Sequence, residues 1–495
     1  MRRVNIKLKN RNGEEIIYKD IDTVELSDEK DVGHTFTLGE KSALEVRPDF
    51  SLGDQVIEAP VKEIYSKVTI FRPEALIPAN IMEGVEIAGV VGKAGGGSGS
   101  GNDYNIGKYL VKVIDYDGTV LKQSWLNTND KFELPQQPAH ENLVFQNWSS
   151  PVEITNNLVT VDNNDIIIGA TYTTKSGRLE IDITLTKATG LTVTLNTKGV
   201  KDWGDGVSDH YSSTHTYSKP GKYTIQVYFF FDPGQVFSIP TGVFGQSEDT
   251  PNFYVTGVRL SKFFTTIETQ AFANCQSLQT IVLPQTVTSI ESGAFLNCYS
   301  LESIVIPLGI TSISDKVVAN CPRTTNIVIP SGVTSVGEWS FSYTAISAIS
   351  LPKGLTSLGQ GVFGGNYSLR KVVIPEGVTE IPLQFSYDCM LSTIVIPEGV
   401  TTIGQSAFIN NLVKEVVMPS SITHIGSQIL DFCLDLVIWD FSASKSIPTL
   451  DWTKFYGTPN SLLQIIVPSN LIEEWKAATN WVNFSKYIVS VEDRV

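Results

Sequence analysis

A repeat with a period of 22 or 23 residues is the feature that most constrains how this chain can fold. The stretch QAFANCQSLQTIVLPQTVTSI, residues 270–290, is followed directly by ESGAFLNCYSLESIVIPLGITSI, residues 291–313. The apolar landmark of each copy is Phe272, Phe295, Val318, Phe341, Phe363, Phe385, Phe408 or Leu430. The proline landmark is Pro284, Pro307, Pro330, Pro352, Pro375, Pro397 or Pro419. Two independent landmarks that share one period predict a solenoid of stacked coils.

Each repeat unit predicts two short strands joined by turns. The first is a β-branched run such as IVLP, IVIP or VVMP, and it ends at proline because proline lacks the N–H that would extend a strand ladder. The second is an apolar pair such as VTSI or VTTI. A single coil cannot bury its apolar side, whereas neighbours stacked about 4.8 Å apart cover it from both directions. Repetition is therefore what stabilises this fold.

All five cysteines lie in the repeat region, at Cys275, Cys298, Cys321, Cys389 and Cys433. All except Cys389 follow the aligned apolar landmark by three residues, where a small interior side chain should stack on its equivalent. Their number and spacing do not fit a disulfide framework, and no C-x-x-C or Cys/His cluster predicts a zinc site. We expect buried free thiols rather than disulfides or metal ligands.

The consensus AFxNCxSLxxIxIPxxVTxIG resembles the BspA-like leucine-rich repeat family over about residues 255–440. The resemblance implies a leucine-rich-repeat solenoid, to which we assign residues 236–440. Proteins of this family are typically surface-exposed binding proteins. The resemblance therefore implies an interaction scaffold rather than a catalyst.

Residues 150–235 predict a β-sandwich in outline. The strands LEIDITL and LTVTLNT precede a WGDG turn at residues 203–206 and the turn-and-strand segment HTYSKPGKYTIQVYF. The WGDG and HTYSKPGKYTI pair resembles polycystic-kidney-disease-type (PKD) domains. This resemblance implies an immunoglobulin-like fold of the kind found in extracellular binding and spacer modules.

Residues 104–149 predict a smaller β-module. Two strands flank an Asp117-Gly118 hairpin turn, and the segment closes on Phe145 and Trp148. The residues DYDGTVL, with a P-x-x-P pair before the last tryptophan, resemble an internalin B-repeat-like module. The resemblance implies a β-grasp-like spacer.

The N-terminal part of the chain is set apart by a Gly/Ser linker, AGGGSGSGND, at residues 94–103. Residues 1–93 predict a separate β-module. Its segment FRPEALIPANIMEGVEIAGVVGK resembles a stretch that recurs in tail and fibre proteins of tailed bacteriophages, which implies a particle-docking module. The first residues alternate apolar and polar types, which favours a strand over the continuous apolar region of an export signal.

Residues 441–495 depart from the repeat period and predict an α/β cap on the last coil. We expect a short helix in NLIEEWKAATNW, with Ser469 as its N-cap and Glu473 and Glu474 near its positive end. A solenoid needs such a cap because an uncovered terminal coil would pair with other chains. The tryptophans available to cover it are Trp439, Trp452, Trp475 and Trp481.

Charge and motifs argue against several classes of function. A net charge of −15, with no basic run beyond Arg2-Arg3, argues against nucleic-acid binding. The sequence has no uninterrupted apolar stretch of about 18 residues, so no segment is predicted to insert into a membrane. The sequence has no G-x-S-x-G, H-E-x-x-H or P-loop motif, since GVVGKAGGG lacks the Ser or Thr that a P-loop needs after its lysine. We expect no catalytic residue and no cofactor.

Asp202 and Asp205 beside Trp203, joined by Asp209, have the chemistry of a calcium site, but Asp-Gly is also the ordinary choice for a tight turn. The turn is the favoured interpretation, and calcium stays open. The histidines are scattered over different modules and predict no site; they are His34, His140, His210, His215 and His424.

Three aromatic-rich turns predict either ligand platforms or packing at module junctions. They are FFFDPG at 229–234, EWSFSY at 338–343 and WTKFYGTPN at 452–460. Junction packing is favoured, except where such a turn lies on an exposed loop of the solenoid.

Together these features predict a mainly β, multidomain protein that is not an enzyme. Its modules resemble extracellular ones, yet its first residues do not resemble an export signal, and a virion protein reconciles the two. The leading hypothesis is a phage tail, fibre or other appendage protein, homo-oligomeric and located in the virion. It would dock to other virion proteins through residues 1–93 and bind a host surface protein or glycan through the solenoid and cap, with avidity from many copies. A bacterial cell-surface adhesin of the BspA-like type is the alternative, and a carbohydrate-active enzyme a distant one.

Overall fold

A computed structural model shows a chain built almost entirely of short β-strands. It describes residues 108–186, 191–197, 199–210, 212–229, 236–244, 252–451, 454–455 and 461–493, together with seven strands before residue 92. Those strands are β1 (Val4–Lys9), β2 (Glu15–Ile21), β3 (Val24–Ser27), β4 (Leu44–Val46), β5 (Val68–Phe71), β6 (Glu86–Ile87) and β7 (Val90–Val91). β1 pairs with β2, β6 pairs with β7, and β5 lies between β3 and β4. The predicted linker at 94–103 and the rest of the predicted docking module lie outside the described residues.

Residues 108–174 form a β-module with two sheets. Its strands are β8 (Lys108–Ile114), β9 (Val120–Asn127), β10 (Lys131–Glu133), β11 (Leu143–Ser149), β12 (Ile154–Thr155), β13 (Leu158–Thr160) and β14 (Ile166–Thr174). One sheet has the order β11-β14-β8-β9 and the other β10-β13-β12. β8 and β9 form the predicted hairpin, with Gly118 at φ +91° in its turn. Because β11 pairs with β14, strands on both sides of the predicted boundary at 149/150 share one sheet.

Residues 179–228 form a second β-module around Trp203 and Tyr217, both fully buried. Its strands are β15 (Leu179–Leu185), β16 (Leu191–Thr194), β17 (Val200–Asp202), β18 (Ser208–Asp209), β19 (Thr214–Tyr217) and β20 (Gly221–Tyr228). β16 pairs with β19, and the other strands form a sheet in the order β18-β17-β20-β15. β15 also pairs with β22 (Val255–Arg259), the first strand of one ladder of the solenoid, so this module covers the starting edge of that ladder.

The rest of the chain is a β-solenoid with two ladders of parallel strands. The first ladder consists of β22 (Val255–Arg259), β24 (Thr280–Val282), β26 (Ser303–Val305), β28 (Asn326–Val328), β31 (Lys371–Val373), β33 (Thr393–Val395), β35 (Glu415–Val417), β37 (Ile438–Asp440), β39 (Gln464–Val467) and β40 (Ile488–Ser490). The second consists of β21 (Phe237–Ile239), β23 (Phe264–Ile267), β25 (Ser289–Ile290), β27 (Ser312–Ile313), β29 (Ser335–Val336), β30 (Ser357–Leu358), β32 (Glu380–Ile381), β34 (Thr402–Ile403), β36 (His424–Ile425) and β38 (Thr449–Leu450). The predicted pair of short strands is confirmed for the repeat coils except that of ISLP at 349–352, where the first ladder has only an isolated bridge between Ala348 and Lys371.

Each coil turns at two corners where the backbone adopts a left-handed conformation. The first corner is Gln270, Gly293, Lys316, Trp339, Gly361, Gln384, Ser406 or Gln428. The second corner is Asn274, Asn297, Asn320, Tyr343, Gly365, Asp388, Asn410 or Phe432. Asn, Asp and Gly adopt this conformation at the lowest cost, which explains the asparagine of the AFxNC consensus. The asparagines also bond in a ladder, since Asn297 Nδ2 donates to Asn274 Oδ1 and Asn320 Nδ2 to Asn297 Oδ1, both at 2.8 Å.

Between the two corners, apolar landmarks stack inside the solenoid. The rings of Phe272 and Phe295 are parallel, with centroids 5.2 Å apart.

In one coil the landmark predicted from the sequence, Phe385, was wrong by one residue. The N–H of Phe363 donates to Phe385 O, and that of Ser386 donates to Ala407 O, so the residue that occupies the landmark position is the buried Ser386. Phe385 is also buried, one position earlier, and its size misled the alignment.

The first β-module packs against the outer side of the first ladder. A Cβ on Gly169 of β14 would lie 2.5 Å from a methyl carbon of Val305, so the backbone of β14 touches the solenoid directly. Lys112 Nζ donates to Asn326 Oδ1 at 2.7 Å across the same contact. Val305 is buried there, whereas its equivalent Val417, further along the ladder, is exposed. The module therefore covers the early coils and leaves the later ones open.

The last coil is covered by a small α/β cap, as predicted. Its helix α1 is Ile472–Ala477, and 3-10 turns lie at Ser469–Leu471, Trp481–Tyr487 and Val491–Asp493. Trp439, Trp475 and Trp481 are buried together, with the Trp475 and Trp481 rings 4.6 Å apart. Trp452 lies outside the described residues. The predicted N-cap is wrong: a 3-10 turn precedes α1, so Leu471 occupies the N-cap position and Ser469 makes no cap bond.

Candidate functional site

One small or polar side chain from each coil, at the residue after the second corner, points into the interior of the solenoid. We call this row of side chains the polar ladder. Its members are Cys275, Cys298, Cys321, Thr344, Asn366, Cys389, Asn411 and Cys433. Cys298 Sγ donates to Phe272 O at 3.1 Å, and Asn411 Nδ2 donates to Ser386 O at 2.9 Å, each to a carbonyl of the preceding coil. With Ser386 as the landmark, Cys389 joins the same position as the other four cysteines.

The five thiols are buried and free, as the sequence predicts. Burial raises the pKa of the Cys321, Cys389 and Cys433 thiols to about 12, because no water can solvate a thiolate there. The ionised form is the nucleophile and the metal ligand, so these groups are chemically inert in the folded chain.

The predicted calcium candidates act as turn residues. Asp202 Oδ1 accepts the N–H of Gly204 at 3.0 Å, and Asp205 Oδ1 accepts that of Val207 at 3.2 Å. The other oxygen of Asp205 lies 2.8 Å from His215 Nε2, and Asp209 Oδ1 accepts the N–H of Ser212. Among the described residues, no three Asp, Glu, His or Cys side chains are grouped so as to hold a metal ion.

The histidines are not brought together. His140 Nε2 lies 2.8 Å from Asp115 Oδ2 in the first module, and His424 Nε2 lies 3.3 Å from Asp451 Oδ2 on the solenoid. His215 stacks on Trp203 in the second module. His210 lies in the loop after β18, and His34 is outside the described residues. Each pair is local to its own module.

Two shallow concave regions lie on the outer surface. A cleft of about 490 Å³ separates the first module from the solenoid and contains Lys131, Asp162 and Lys353. Its walls are already joined by an ion pair of 3.2 Å between Lys353 and Asp162. A groove of about 540 Å³ follows the second ladder and is lined by serines with Glu291, Asp315 and Glu338. Asp315 Oδ1 accepts the N–H of Glu338 in the next coil at 2.8 Å, so this carboxylate links two neighbouring coils.

A cluster of aromatic side chains, two of them exposed and two half-buried, lies next to that groove. We call it the aromatic platform and define it as Trp339, Tyr343, Tyr367 and Tyr387. The ring of Tyr387 meets those of Trp339 and Tyr343 edge to face, with centroid distances of 5.8 and 6.4 Å. The hydroxyl groups of Tyr343 and Tyr387 are in hydrogen-bond contact. Tyr343 is 40% exposed and Tyr367 63%.

Three glycines of the coil in between form the floor of the aromatic platform. A Cβ on Gly361 would lie 2.4 Å from the Trp339 ring, one on Gly364 2.1 Å from the Tyr387 ring, and one on Gly365 2.5 Å from the Tyr343 ring. No side chain fits at any of these three positions. The rings of Trp339, Tyr343 and Tyr387 therefore lie directly against the backbone of this coil.

The aromatic platform is also strained. Trp339 has φ +57° and Tyr343 has φ +54°. The corner of Trp339 holds Gln, Gly, Lys or Ser in the other coils, and the corner of Tyr343 holds Asn, Gly, Asp or, once, Phe432. A bulky residue in this conformation costs about 1 kcal/mol or more, and such strain is concentrated at functional sites. These rings are therefore not what a coil needs in order to turn.

Polar groups surround the rings. Burial and a hydrogen bond with Tyr343 raise the pKa of Tyr387, and the charge of Asp388 raises it further. Burial and Asp388 likewise raise the pKa of Tyr367. Asp388 Oδ1 accepts Asn410 Nδ2 at 2.8 Å. The phenols are thus neutral donors and acceptors, next to a carboxylate and an amide.

Of the three aromatic-rich turns, EWSFSY belongs to this exposed surface. Phe229, the described residue of FFFDPG, packs on Phe237 with ring centroids 4.8 Å apart. Phe455 of WTKFYGTPN packs on Phe484 at 5.3 Å. These two therefore serve as junction packing, as favoured from the sequence. Sequence reasoning missed Tyr367 and Tyr387, although GVFGG at 361–365, between two aromatic coils, was a signal that rings rest on backbone there.

Comparison with known proteins identifies the repeats. A family model described as BspA type leucine rich repeat region matches in six copies over residues 265–390 and 362–478. The chain therefore carries BspA-type leucine-rich repeats folded as a β-solenoid, the mainly β architecture predicted from the sequence. No curated protein matches the chain.

Several solved structures are similar to part of the chain. A leucine-rich repeat protein from Bacteroides ovatus is 24% identical over 49% of this chain and 65% of its own, with a TM-score of 0.34. A leucine rich cell surface protein from Faecalibacterium prausnitzii is 24% identical over 47% of this chain and 71% of its own, with a TM-score of 0.30. The chain thus spans just under two thirds of the first of these proteins. At these values the similarities carry no inference about function.

In the described part of the chain, no helix combines the length and the apolar character that crossing a bilayer requires.

Proposed function

We propose that this chain is a surface-displayed binding protein without catalytic activity, and specifically a bacterial cell-surface adhesin. The aromatic platform is the observation that carries the proposal. Trp339 and Tyr343 occupy corners that most other coils turn at lower cost, and Tyr343 and Tyr367 hold exposed rings on the flank of the solenoid. Exposed aromatic clusters on rigid scaffolds are typical of binding surfaces.

Two further observations support binding over catalysis. Several carboxylates that could serve chemistry instead make structural hydrogen bonds, as with Asp202 and Asp205 in one turn and Asp315 between neighbouring coils. The thiols that could act as nucleophiles are inert in the interior. The outward-facing residues differ from coil to coil, whereas the core residues repeat. A variable surface on a repeated core is suited to the recognition of a binding partner.

A phage virion appendage is the second candidate, favoured by one observation, the resemblance of FRPEALIPANIMEGVEIAGVVGK to segments of tail and fibre proteins. In that case residues 1–93 would dock to other virion proteins, and the solenoid and cap would meet the host. The two candidates share the binding surface and differ in what carries it. In both, several copies on one carrier would turn weak single contacts into avid attachment.

One localisation experiment tests the proposal and separates the candidates. Antibody against residues 108–495 would be applied to intact cells that make the protein and to particles purified after prophage induction, with a cytosolic protein as the control for lysis. Label on intact cells and none on particles is the expected result. Label on particles alone would support the virion candidate. Recovery of the protein only in the cytosolic fraction would refute surface display in both forms.

A further inference from the structure

We propose that the aromatic platform is a carbohydrate site that binds neutral pyranose sugars. This inference rests on the proposed binding function and names the class of its ligand. A pyranose has an apolar C–H face and a rim of hydroxyl groups. The platform offers the matching surface, because the exposed rings of Tyr343 and Tyr367 are apolar on their faces and carry hydroxyl groups at their rim.

The polar groups around the rings fit a ligand rich in hydroxyl groups. The contact between the Tyr343 and Tyr387 hydroxyls shows that phenols meet at one point of the platform. Asp388 lies beside them, and its Oδ1 accepts a hydrogen bond from Asn410 Nδ2 at 2.8 Å. The platform therefore also has a carboxylate and an amide at its edge. Sugar hydroxyls donate to carboxylates and both donate to and accept from phenols. A purely apolar ligand would cover these groups without forming a hydrogen bond to any of them.

The floor of glycines makes the platform pre-organised. Because Gly361, Gly364 and Gly365 leave no room for a side chain, the rings above them keep their positions before any ligand arrives. Ordering flexible side chains on binding costs roughly 0.5–1.5 kcal/mol each, and a surface that is already ordered avoids most of that cost. Weak ligands such as single sugar units benefit most from this saving.

Packing requirements do not explain these aromatic residues. Rings that fill the solenoid, such as Phe341 and Phe363, are fully buried, whereas Tyr367 is 63% exposed. The position of Tyr367, which follows the polar ladder, differs from coil to coil; in the other coils it is Gln276, Tyr299, Pro322, Ala345, Met390, Leu412 or Leu434. The corner of Tyr343 is asparagine in four coils, with lower backbone cost. Neither tyrosine is needed for a coil to form.

Electrostatics select neutral sugars. The chain has a net charge of −15, and Asp388 adds a local negative charge at the platform. Sialylated or sulfated glycans would be repelled over several ångströms. The expected ligands are hexose and N-acetylhexosamine units in neutral glycans.

The test is binding of the full chain to an array of immobilised glycans that includes neutral, sialylated and sulfated oligosaccharides. We expect signal on neutral glycans. Tyr367→Ala should weaken the apparent affinity about tenfold, the loss expected for one stacked ring. Tyr299→Ala is the matched control: Tyr299 occupies the equivalent position after Cys298, is 37% exposed and lies away from the platform, and its loss should change affinity less than about twofold.

A second variant separates binding from folding. Tyr343→Asn introduces the residue that other coils use at this corner, so the thermal midpoint should stay within about 3 °C of the wild type while glycan binding falls about tenfold. A wild-type chain that binds only acidic glycans or none would overturn the proposal, as would Tyr343→Asn and Tyr367→Ala variants that bind like the wild type. Such a result with surface label intact would refute only the ligand class. Glycan binding without surface label would refute the proposed display instead.

Discussion

At the scale of single residues, the polar ladder inside the solenoid decides whether the coils stack. Each coil leaves a backbone carbonyl facing the next one, and an unpaired buried carbonyl costs about 1–3 kcal/mol. The chain meets this need with cysteine and asparagine. Cys389 Sγ donates to Phe363 O at 3.0 Å, and Asn366 Nδ2 donates to the same carbonyl at 2.7 Å and to Phe341 O of the preceding coil at 2.9 Å. Thr344 Oγ1 donates to Asn366 Oδ1 at 2.6 Å and so holds that amide in place.

Asn411 should be the member of this ladder that is hardest to replace. Its amide donates to Ser386 O and Phe408 O, both at 2.9 Å, and its Oδ1 accepts the N–H of Leu391 at 2.9 Å. We predict that Asn411→Ala lowers the free energy of unfolding by about 3 kcal/mol, because three buried groups lose partners. Asn411→Cys should cost only about 1 kcal/mol, since cysteine occupies this position in five coils.

The neighbouring corner residue supplies the control. Asn410 has φ +57° and an outward bond to Asp388, so Asn410→Gly should change stability by less than about 0.5 kcal/mol. Denaturant midpoints of the three variants measure the difference. Equal losses for Asn411→Ala and Asn410→Gly would show that the inward bonds do not hold the coils together.

Residue identities could be predicted from the sequence wherever the repeat supplied several copies. The asparagine corner and the buried cysteines recur often enough to be recognised. Ser386 could not be recognised, because a large neighbour, Phe385, fits the apolar pattern better and only the hydrogen bonds to Ala407 reveal the register. The prediction of Ser469 as the helix N-cap was wrong for a similar reason, since the residue type suggests a cap but does not show that a 3-10 turn precedes the helix.

At the scale of elements, the contact between β14 and the solenoid is the least predictable feature of the fold. Strand patterns indicate which segments pair, but not which sheet a finished module will lie against. The buried equivalents Val305 and Val328 have the same sequence character as the exposed Val395 and Val417. The position of the aromatic platform was predictable only in part, since EWSFSY marks it and its partners come from two other coils.

Gly169 is where this contact should be most sensitive. A Cβ there would lie 2.5 and 2.7 Å from the two methyl carbons of Val305, so we predict that Gly169→Ala loosens the module at a cost of about 1–3 kcal/mol. Hydrogen exchange in β14 and β28 should accelerate. The Gly169→Ala, Val305→Ala double variant should restore slow exchange, because it removes the opposing methyl groups.

Gly332→Ala is the matched control for this contact. The atoms nearest to a Cβ on Gly332 are Leu308 O at 3.8 Å and Ile310 O at 3.9 Å, which is ordinary contact. This variant should leave exchange in β14 unchanged. If Gly169→Ala also left it unchanged, the close packing of the module on the first ladder would be wrong.

At the scale of the whole molecule, the solenoid region is held together by contacts between neighbouring coils. The two ends are closed differently: β15 pairs with β22 at one end, and Trp439, Trp475 and Trp481 pack under the cap at the other. Between the ends, each coil needs only a neighbour in the correct register. The repeat period alone was enough to predict this, which is why the solenoid and its cap were the most predictable parts of the chain.

Removal of one full coil should therefore be tolerated. Deletion of residues 409–430 joins Phe408 to Asp431 and keeps the register, because the corner residues Asn410 and Phe432 are 22 positions apart. We predict a folded protein whose thermal midpoint falls by less than about 5 °C. Deletion of residues 409–419, half a coil, should abolish cooperative unfolding, since it sets strands against turns. Circular dichroism and calorimetry distinguish the two outcomes, and similar losses for both deletions would contradict stacking by register.

The sequestered thiols have a consequence for where such a chain can persist. A protein with five cysteines that meets air and peroxides outside a reducing compartment ordinarily risks random cross-links to itself and to its surroundings. Here all five sulfurs are buried, those of Cys298, Cys321, Cys389 and Cys433 donate to backbone carbonyls, and no thiolate forms at ordinary pH. The chain can therefore keep unpaired cysteines indefinitely in an oxidising medium, with neither a disulfide framework nor an enzyme to repair it.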